Sequence, residues 1–459
     1  MTVHTRTSRP TAPETGAPDT DRRTGAWSLT RVVLVSLVVG AVSALILTLV
    51  AFPGATEAVV TGSLLLGFGV GWAALAVVSA RKTSQPQRWA RVPAVAMSAT
   101  GAGLVAFSPD DSALAVLSWV WPPLMLALVA WMFVQARRDL PTRACLLLAP
   151  VFVTLAAVCV GALVQDVSAP QVRHDHPAPG RIVAVGDHRL HIDCRGAGGP
   201  TVVLFSGMGE LSASWARITD QVSDTTRVCA YDRAGQGWSD DVDEPQDGVT
   251  AAADLHALLA AAGEQGPFVL VGHSTGGPYA LTYAAQYPEA VAGMVLLDSS
   301  SPRQFADMPA YPLQYALMKR GLGLMPTLAR VGLGPVVGAS SNLPGAEGDL
   351  VEAMSSTVRA QRNGRDEISI APRVFEQSQA LTTLDNRPLI VLTASENLST
   401  EGWSAAQDRL AALSSDGVHR DVRSSHAGMV EDPTGSDASV AAITAVARSV
   451  RTGTPVSAS

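Results

Sequence analysis

The sequence predicts an α/β domain that follows an all-α membrane bundle of about five helices. Three observations lead to this prediction. Five long apolar stretches occupy the first third of the chain. From about residue 181, short apolar strands alternate with helical stretches, which is typical of parallel βαβ units. Within that alternation, a Gly-x-Ser-x-Gly sequence at residues 272–276 joins a strand to a helix.

The composition of the 459 residues fits this division. Hydrophobic residues make up 47% of the chain and charged residues only 16%, which indicates that part of the chain avoids water. A net charge of −7 without a basic patch gives no reason to expect nucleic acid as a partner. The four cysteines contain no Cys-x-x-Cys pair, so we expect no zinc site of that kind. We expect no cofactor.

The membrane region is predicted to cover residues 31–165, after a disordered tail at 1–30. Its apolar stretches are Val32–Phe52, Ala58–Ala80, Val92–Ser108, Ser112–Gln135 and Ala144–Gln165. A spanning helix needs about 20 apolar residues, and the third stretch is short and rich in Gly, Ala and Ser. A cleaved signal peptide or buried core helices are the alternatives, but the number of charge-free stretches opposes both.

The loops between these stretches alternate in charge, and this alternation predicts the orientation. Basic residues precede the first stretch, separate the second from the third, and separate the fourth from the fifth, whereas the other loops carry only acidic charge. Basic loops stay in the cytoplasm, so five crossings put the residues after Gln165 outside. If the third stretch does not cross, they lie inside.

A Pro-rich segment at 166–180 is interpreted as a linker before the second domain. Its His174-Asp175-His176 sequence could hold a metal, but a solvated tether is the simpler interpretation. The second domain is predicted to cover 181–451, followed by a disordered tail at 452–459. Its predicted strands are Arg181–Val185, Arg189–Cys194, Thr201–Phe205, Thr226–Tyr231, Phe268–Val271, Val291–Leu297, Pro388–Thr393 and a last strand containing His419.

Ser274 is the candidate nucleophile because it lies in a tight strand–turn–helix sequence. Gly272 and Gly276 leave room for neighbouring backbone, and the turn lifts the hydroxyl to the N-terminus of the next helix. A serine hydroxyl needs a base near neutral pH. His426, in a loop after the last strand, is the candidate base, and the chain order of nucleophile, acid and base is then met.

Two carboxylates at strand ends compete to orient His426. Glu396 follows the strand Pro388–Thr393, and Asp298 ends the strand Val291–Leu297. We favour Glu396 narrowly, because Asp is also a common cap on a turn of the kind that follows position 298. The oxyanion of a tetrahedral intermediate needs two backbone donors, and the N–H groups of Thr275 and Met208 are the candidates.

These residues resemble the α/β-hydrolase superfamily, in its single-domain branch with a lid. The resemblance covers about 181–450 and rests on Ser206–Gly209, the run Tyr231–Ser239 (YDRAGQGWS), the turn at Ser274, Leu296–Asp298 and His426. It implies a mostly parallel eight-stranded sheet, a Ser-His-acid triad and the serine esterase, lipase or peptidase branch. The chain departs from the family where His-Gly is replaced by Ser206-Gly207, and where the usual Asp is replaced by Asn397 beside Glu396.

The resemblance also implies that the strand with Cys194 lies beside the strand with Cys229. Outside the cytoplasm these two could form a disulfide; the alternative is two buried thiols. An insertion at about 299–387 is interpreted as a helical lid. The expected function is a membrane-anchored serine hydrolase that cleaves an apolar or lipid-like ester. The alternatives are a peptidase or acyltransferase of the same fold, and a non-catalytic membrane sensor or binding protein.

Overall fold

The structure is a computed structural model that describes residues 27–242 and 244–456. Most of the tail predicted at 1–30 lies outside the described residues, and the first helix already begins at Leu29. The N-terminal helices are α1 (Leu29–Ile46, continued by a π-helical turn at Leu47–Ala51), α2 (Glu57–Lys82), α3 (Arg91–Phe107), α4 (Asp111–Asp139) and α5 (Thr142–Asp175).

Among the described residues, five helices are long and apolar enough to cross a membrane. The third of them qualifies when the short turn from Arg88 is counted with α3, giving 20 residues. The number of spanning candidates therefore agrees with the five stretches in the sequence. Successive helices run in opposite directions, so Glu57 and Asp111, which begin α2 and α4, lie at the end of the bundle that contacts the second domain.

The linker predicted at 166–180 is wrong over most of its length, because α5 continues to Asp175. Pro170 lies inside this helix. The last turn is instead held by the second domain: the Arg173 guanidinium donates to the Gly237 carbonyl at 2.8 Å, and the Trp238 indole donates to the His176 carbonyl at 2.9 Å. The connection between the domains is therefore a helix with a fixed end.

The second domain is built on one eight-stranded sheet, as predicted. Its strands are β1 (Arg181–Val185), β2 (His188–Arg195), β3 (Val202–Phe205), β4 (Val228–Tyr231), β5 (Phe268–His273), β6 (Val291–Leu297), β7 (Leu389–Ala394) and β8 (Gly417–Val422). The spatial order is β1-β2-β4-β3-β5-β6-β7-β8. Only β2 runs against its neighbours, so the six strands from β4 to β8 are parallel.

Helices cover both faces of the sheet and explain why its central strands are apolar throughout. The helices outside the insertion are α6 (Ala216–Ser223), α7 (Gly248–Ala262), α8 (Gly276–Gln286), α14 (Trp403–Ala411), α15 (Gly428–Glu431) and α16 (Pro433–Thr452). α7 and α8 pack on one face, and α6 and α16 on the other. Each fully buried Val or Leu of β5 contributes about 1.5–3 kcal/mol to this core.

The insertion between β6 and β7 is helical, as predicted for a lid. We define the lid as residues 299–387, and its helices are α9 (Gln304–Asp307), α10 (Tyr311–Leu328), α11 (Gly334–Val337), α12 (Gly345–Ser355) and α13 (Val358–Ser378). At the chain end, the tail predicted from 452 is wrong as far as Val456, whose side chain is buried. Residues 457–459 lie outside the described residues.

Cys194 and Cys229 lie opposite each other on the neighbouring strands β2 and β4. Their sulfur atoms are joined in a disulfide. The resemblance implied only that the two strands are neighbours. The register of β2 and β4 places the two cysteines directly opposite each other. The bridge ties the antiparallel edge of the sheet to its parallel centre.

Candidate active site

Ser274 lies in the turn between β5 and α8 with a strained backbone. Its φ is +53°, a left-handed conformation that non-glycine residues seldom adopt. A Cβ added to Gly276 would lie 2.1 Å from the carbonyl oxygen of Phe205, so the turn needs glycine at this position. The Ser274 carbonyl accepts a hydrogen bond from the Ser300 N–H at 2.9 Å. The first residues of the lid therefore stabilise the turn through this hydrogen bond.

His426 follows β8 and reaches the same edge of the sheet. Its Nδ1 donates to the Asp298 carboxylate at 2.6 Å. In the neutral ring this hydrogen bond fixes the proton on Nδ1, so Nε2 carries the lone pair that a base uses. The ring is 37% exposed, and its centroid lies 4.7 Å from that of His273, the neighbour of Ser274. The candidate base therefore stands beside the serine turn.

Asp298, at the end of β6, is completely buried and also has a positive φ, of +42°. Besides His426, three donors hold its carboxylate. They are the amide of Asn397 at 2.6 Å, the indole of Trp403 at 3.0 Å and the backbone N–H of Ala394 at 3.2 Å. These bonds fix the carboxylate in one orientation toward the His426 ring.

The contacts therefore favour Asp298, the alternative acid, over Glu396, which the sequence narrowly favoured. The Glu396 carboxylate is exposed and accepts from the backbone N–H of His426 at 2.6 Å, so it contacts the base loop but not the ring. Asn397, at the position where the family usually has an Asp, is a donor to Asp298. β6 and β7 are adjacent, so the carboxylate at the end of β6 reaches the place that a carboxylate after β7 would occupy.

The candidate oxyanion donors lie on two neighbouring turns. A Cβ added to Gly207 would lie 3.0 Å from the Cβ of Ser274, so the loop after β3, residues 206–210, contacts the serine directly. We call residues 206–210 the oxyanion loop. Within the described part of the chain, the N–H groups of Met208 and Thr275 donate to no protein acceptor. Both are therefore free to bind a substrate oxygen, as their predicted role requires.

A buried ion pair supports the oxyanion loop from the lid side. The Arg233 guanidinium donates to the Ser206 carbonyl at 2.6 Å and to the Glu367 carboxylate of α13 at 2.6 Å. The other Glu367 oxygen accepts from the Gly209 N–H at 3.1 Å. Burial alone would lower the pKa of Arg233, but the Glu367 charge outweighs it and raises this pKa. The family resemblance included Arg233, whereas nothing in the sequence pointed to Glu367.

A second carboxylate–imidazole pair, also missed from the sequence, connects three parts of the site. The Glu210 carboxylate accepts from His273 Nδ1 at 2.6 Å and from the Gly207 N–H at 2.6 Å. His273 Nε2 donates to the backbone carbonyl of His426 at 3.0 Å. The pair thus joins the oxyanion loop, the serine turn and the base loop. The sequence offered one signal for this pair: Glu210 follows Gly207 by three residues in the loop after β3, close enough to accept from its N–H.

The charges of this pair stabilise each other in the buried site. Burial alone would lower the pKa of His273, but the adjacent Glu210 carboxylate outweighs it and raises this pKa above 6.5. Burial alone would raise the pKa of Glu210, but the His273 charge and hydrogen bond outweigh it and lower this pKa below 4.5. Stability from the raised His273 pKa is lost as pH rises through that pKa. Stability from the lowered Glu210 pKa is lost as pH falls through that pKa.

We therefore expect Glu210→Gln to reduce the free energy of unfolding most between pH 4.5 and 6.5, where both groups of the wild type are charged. The expected loss is about 1–3 kcal/mol, the cost of leaving a buried polar group without its charged partner. Thermal unfolding of wild type and variant across pH 3 to pH 9, read as an approximate difference in stability, measures it.

Glu264→Gln is the matched control for this experiment. Its partner is Arg227, with a hydrogen bond of 2.6 Å, and an arginine does not deprotonate in this range. The loss for Glu264→Gln should therefore not decline above neutral pH. A loss for Glu210→Gln that stays constant from pH 5 to pH 9 would contradict the assigned ionisation of the pair.

Comparisons with known proteins agree with this architecture. A family described as the alpha/beta hydrolase fold matches residues 200–360. An uncharacterised protein of Schizosaccharomyces pombe is 31% identical over 31% of this chain and 32% of its own length. A 2-(acetamidomethylene)succinate hydrolase of Mesorhizobium japonicum is 32% identical over 28% of this chain and 46% of its own length. The chain therefore matches less than half the length of either relative.

Among solved structures, a thermophilic esterase from Thermogutta terrifontis is 19% identical, with a TM-score of 0.46, covering 59% of this chain and 99% of the esterase. The family match runs from β3 to the first turn of α13, which includes the serine turn and most of the lid. The strand order and the strained serine extend the agreement to the rest of the sheet. The second domain therefore has the α/β-hydrolase fold, and the match over residues 200–360 supports its place in the α/β-hydrolase superfamily.

Proposed function

We propose that this chain is a membrane-anchored serine hydrolase that cleaves carboxylic esters through an acyl-enzyme. The observation that carries the proposal is the 2.6 Å hydrogen bond from His426 Nδ1 to the buried Asp298 carboxylate, beside the strained turn that holds Ser274. A base oriented by a carboxylate is what a serine nucleophile requires. The name of one relative, a 2-(acetamidomethylene)succinate hydrolase, supports hydrolysis as the class of reaction.

The proposed reaction proceeds in two halves. Ser274 Oγ attacks the ester carbonyl carbon while His426 Nε2 takes the hydroxyl proton, and Asp298 stabilises the imidazolium. The N–H groups of Met208 and Thr275 bind the oxyanion. When the tetrahedral intermediate collapses, the carbon–oxygen bond to the alcohol breaks, and the alcohol leaves with the proton from His426. Water, deprotonated by His426, then attacks the acyl-serine, and the carboxylic acid leaves as Ser274 regains its proton.

We propose further that the hydrolase domain lies outside the cytoplasm. The basic clusters around Arg81 and Arg137 lie at the ends of α2 and α4 that are distant from this domain, and basic ends favour the cytoplasm. The Cys194–Cys229 disulfide suits an oxidising compartment. Alkaline phosphatase fused after Ser459 is expected to be active in intact cells. An inactive phosphatase with a fluorescent cytoplasmic reporter at the same position would put the domain inside.

Ester turnover by the purified full-length chain tests the proposed function. We expect hydrolysis of 4-nitrophenyl esters, with the acyl length varied from acetate to palmitate, and slower or no cleavage of matched amides. Preferential amide cleavage would favour a peptidase, and acyl transfer to an added alcohol in place of water would favour an acyltransferase. A folded chain that turns over none of these substrates and does not react with a fluorophosphonate would fit the non-catalytic sensor and overturn the proposal.

A further inference from the structure

The lid is fastened to the bundle of apolar helices by polar contacts. The Arg330 guanidinium, which follows α10, pairs with the buried carboxylate of Glu57 at the start of α2, with one hydrogen bond of 2.9 Å. Arg362 of α13 pairs with Asp111 at the start of α4 at 3.0 Å. Breaking such a pair would leave a charge at a partly buried contact, so these bonds resist separation. The lid and the ends of α2 and α4 therefore form one packed unit.

A cavity of about 340 Å³ lies at this junction, within the size range of small-molecule sites, about 300–1,000 Å³. It connects the apolar helices with the oxyanion loop. Its apolar walls include Ala115 and Trp119 of α4, Ala169 of α5 and Met354 of the lid, and Gly209 and Glu210 of the oxyanion loop border it. Charged side chains line it as well, at Asp111, Asp166, Arg173, Arg330, Arg359 and Arg362. Gly209 is the immediate neighbour of Met208, the proposed oxyanion donor. The cavity thus borders the oxyanion loop next to the proposed donor.

On α4, the residues that line the cavity adjoin an outward-facing apolar surface that suits lipid. Trp119 is eight residues from the start of α4, about 12 Å along a helix axis. It is half-exposed and neighbours the exposed side chains Val116, Val120 and Leu124. Apolar side chains of a spanning helix that face outward contact acyl chains, and Trp is favoured at the membrane interface. Part of the cavity wall therefore lies on the same turns of α4 as this apolar surface.

The lid itself presents a further apolar face beside the same helices. Leu313, Leu317 and Met318 of α10 are exposed on one side of that helix. Arg320, close to them, donates to the Leu49 carbonyl at the end of the first apolar helix at 3.2 Å. This contact holds α10 at the end of the bundle, so its exposed leucines lie beside the end of the first apolar helix.

We propose that this cavity binds a lipid ester drawn directly from the bilayer. The acyl chain lies between α4, α5 and the lid, and the ester carbonyl reaches Met208 and Ser274. The membrane region is then one wall of the substrate site as well as an anchor. The inference rests on the proposed serine hydrolase function and adds the substrate class and its route.

Filling the cavity from the membrane side tests this inference. Ala115→Trp inserts a large ring where α4 lines the cavity, and Val116→Trp places the same ring on the adjacent lipid-facing position, outside the lining. Each full-length variant is reconstituted in phosphatidylcholine vesicles. Two esters are compared: 4-methylumbelliferyl oleate in the bilayer, and 4-nitrophenyl acetate in water. Fluorophosphonate labelling of each variant measures the fraction of competent sites.

We expect Ala115→Trp to lower kcat/KM for the oleate at least about tenfold and to leave acetate turnover within about twofold, because only the long chain needs the filled space. Val116→Trp should change neither substrate. Equal effects of the two variants on the oleate, or an equal loss of oleate and acetate turnover by Ala115→Trp at unchanged labelling, would overturn the inference. Failure of the proposed function is distinguishable, because wild type would then turn over neither ester and take up no label.

Discussion

Replacing Ser274 with alanine is expected to lower kcat for ester hydrolysis by about 10⁵-fold to 10⁶-fold, as removal of the nucleophile does in serine hydrolases of other folds. The variant keeps the oxyanion donors and the His426–Asp298 pair, so substrate binding should change little and KM should stay close to that of wild type. The residual rate would come from water attacking a bound and polarised ester.

The measurement is the steady-state rate of 4-nitrophenyl butyrate hydrolysis by the purified chain. Ser395→Ala serves as the matched control, because Ser395 is an exposed serine on the loop after β7, close to the base loop. It should retain full activity. If Ser274→Ala kept a tenth or more of the wild-type kcat, another residue would have to be the nucleophile.

Replacing Asp298 with asparagine is expected to lower kcat by about 10³-fold to 10⁴-fold. An asparagine amide that donates to His426 Nδ1 favours the tautomer with the proton on Nε2, and that nitrogen can no longer accept the Ser274 proton. The imidazolium also loses its neighbouring negative charge. The amide group that replaces Oδ2 can no longer accept from Asn397, but the remaining oxygen keeps the Trp403 indole and the Ala394 N–H as donors, so the substituted side chain should stay in its buried place.

Glu396→Gln is the matched comparison for this second experiment. Its amide oxygen can still accept from the His426 backbone N–H, which is the only part of His426 that Glu396 is seen to contact among the described residues. We expect kcat within about threefold of wild type, the loss of less than 1 kcal/mol of transition-state stabilisation. The reverse order, with Glu396→Gln the more damaging variant, would restore the acid first favoured from the sequence.

The strands of the second domain and the apolar helices before it were predictable from the sequence because each is a local pattern. The strand ending at Val271 is apolar over its whole length, and the Gly-x-Ser-x-Gly turn follows it directly. Together they fix the place of Ser274 before any long-range contact is known. The five apolar stretches are equally local, since length and the absence of charge decide them.

The acid could not be chosen locally, because Asp298 and Glu396 both follow apolar strands that end at the same sheet edge. What separates them is the direction of each carboxylate. Trp403 and Asn397 turn Asp298 toward the ring, and one of these donors lies more than a hundred residues away in sequence. The one local sign was Asn397: an amide stands where the family usually has its acidic residue, so the acid had to come from another position.

The continuation of α5 and the contact between the lid and α2 could not be predicted from the sequence, and the physical reason is the same for both. Residues 166–175 contain Pro170 and few large apolar side chains, so their helix depends on contacts beyond its own turns. The carbonyl of Gly237 supplies one by accepting from Arg173. The Arg330–Glu57 pair likewise joins residues 273 positions apart, a distance over which sequence patterns carry no information.

Covalent capture of the nucleophile tests the central claim most directly. The full-length chain in vesicles is treated with a fluorophosphonate, digested and mapped by mass spectrometry. We predict one adduct per chain, on Ser274, absent from Ser274→Ala and formed much more slowly in Asp298→Asn. An adduct on another residue, or no adduct on a chain that hydrolyses esters, would contradict the account of Ser274 activated by His426 and Asp298.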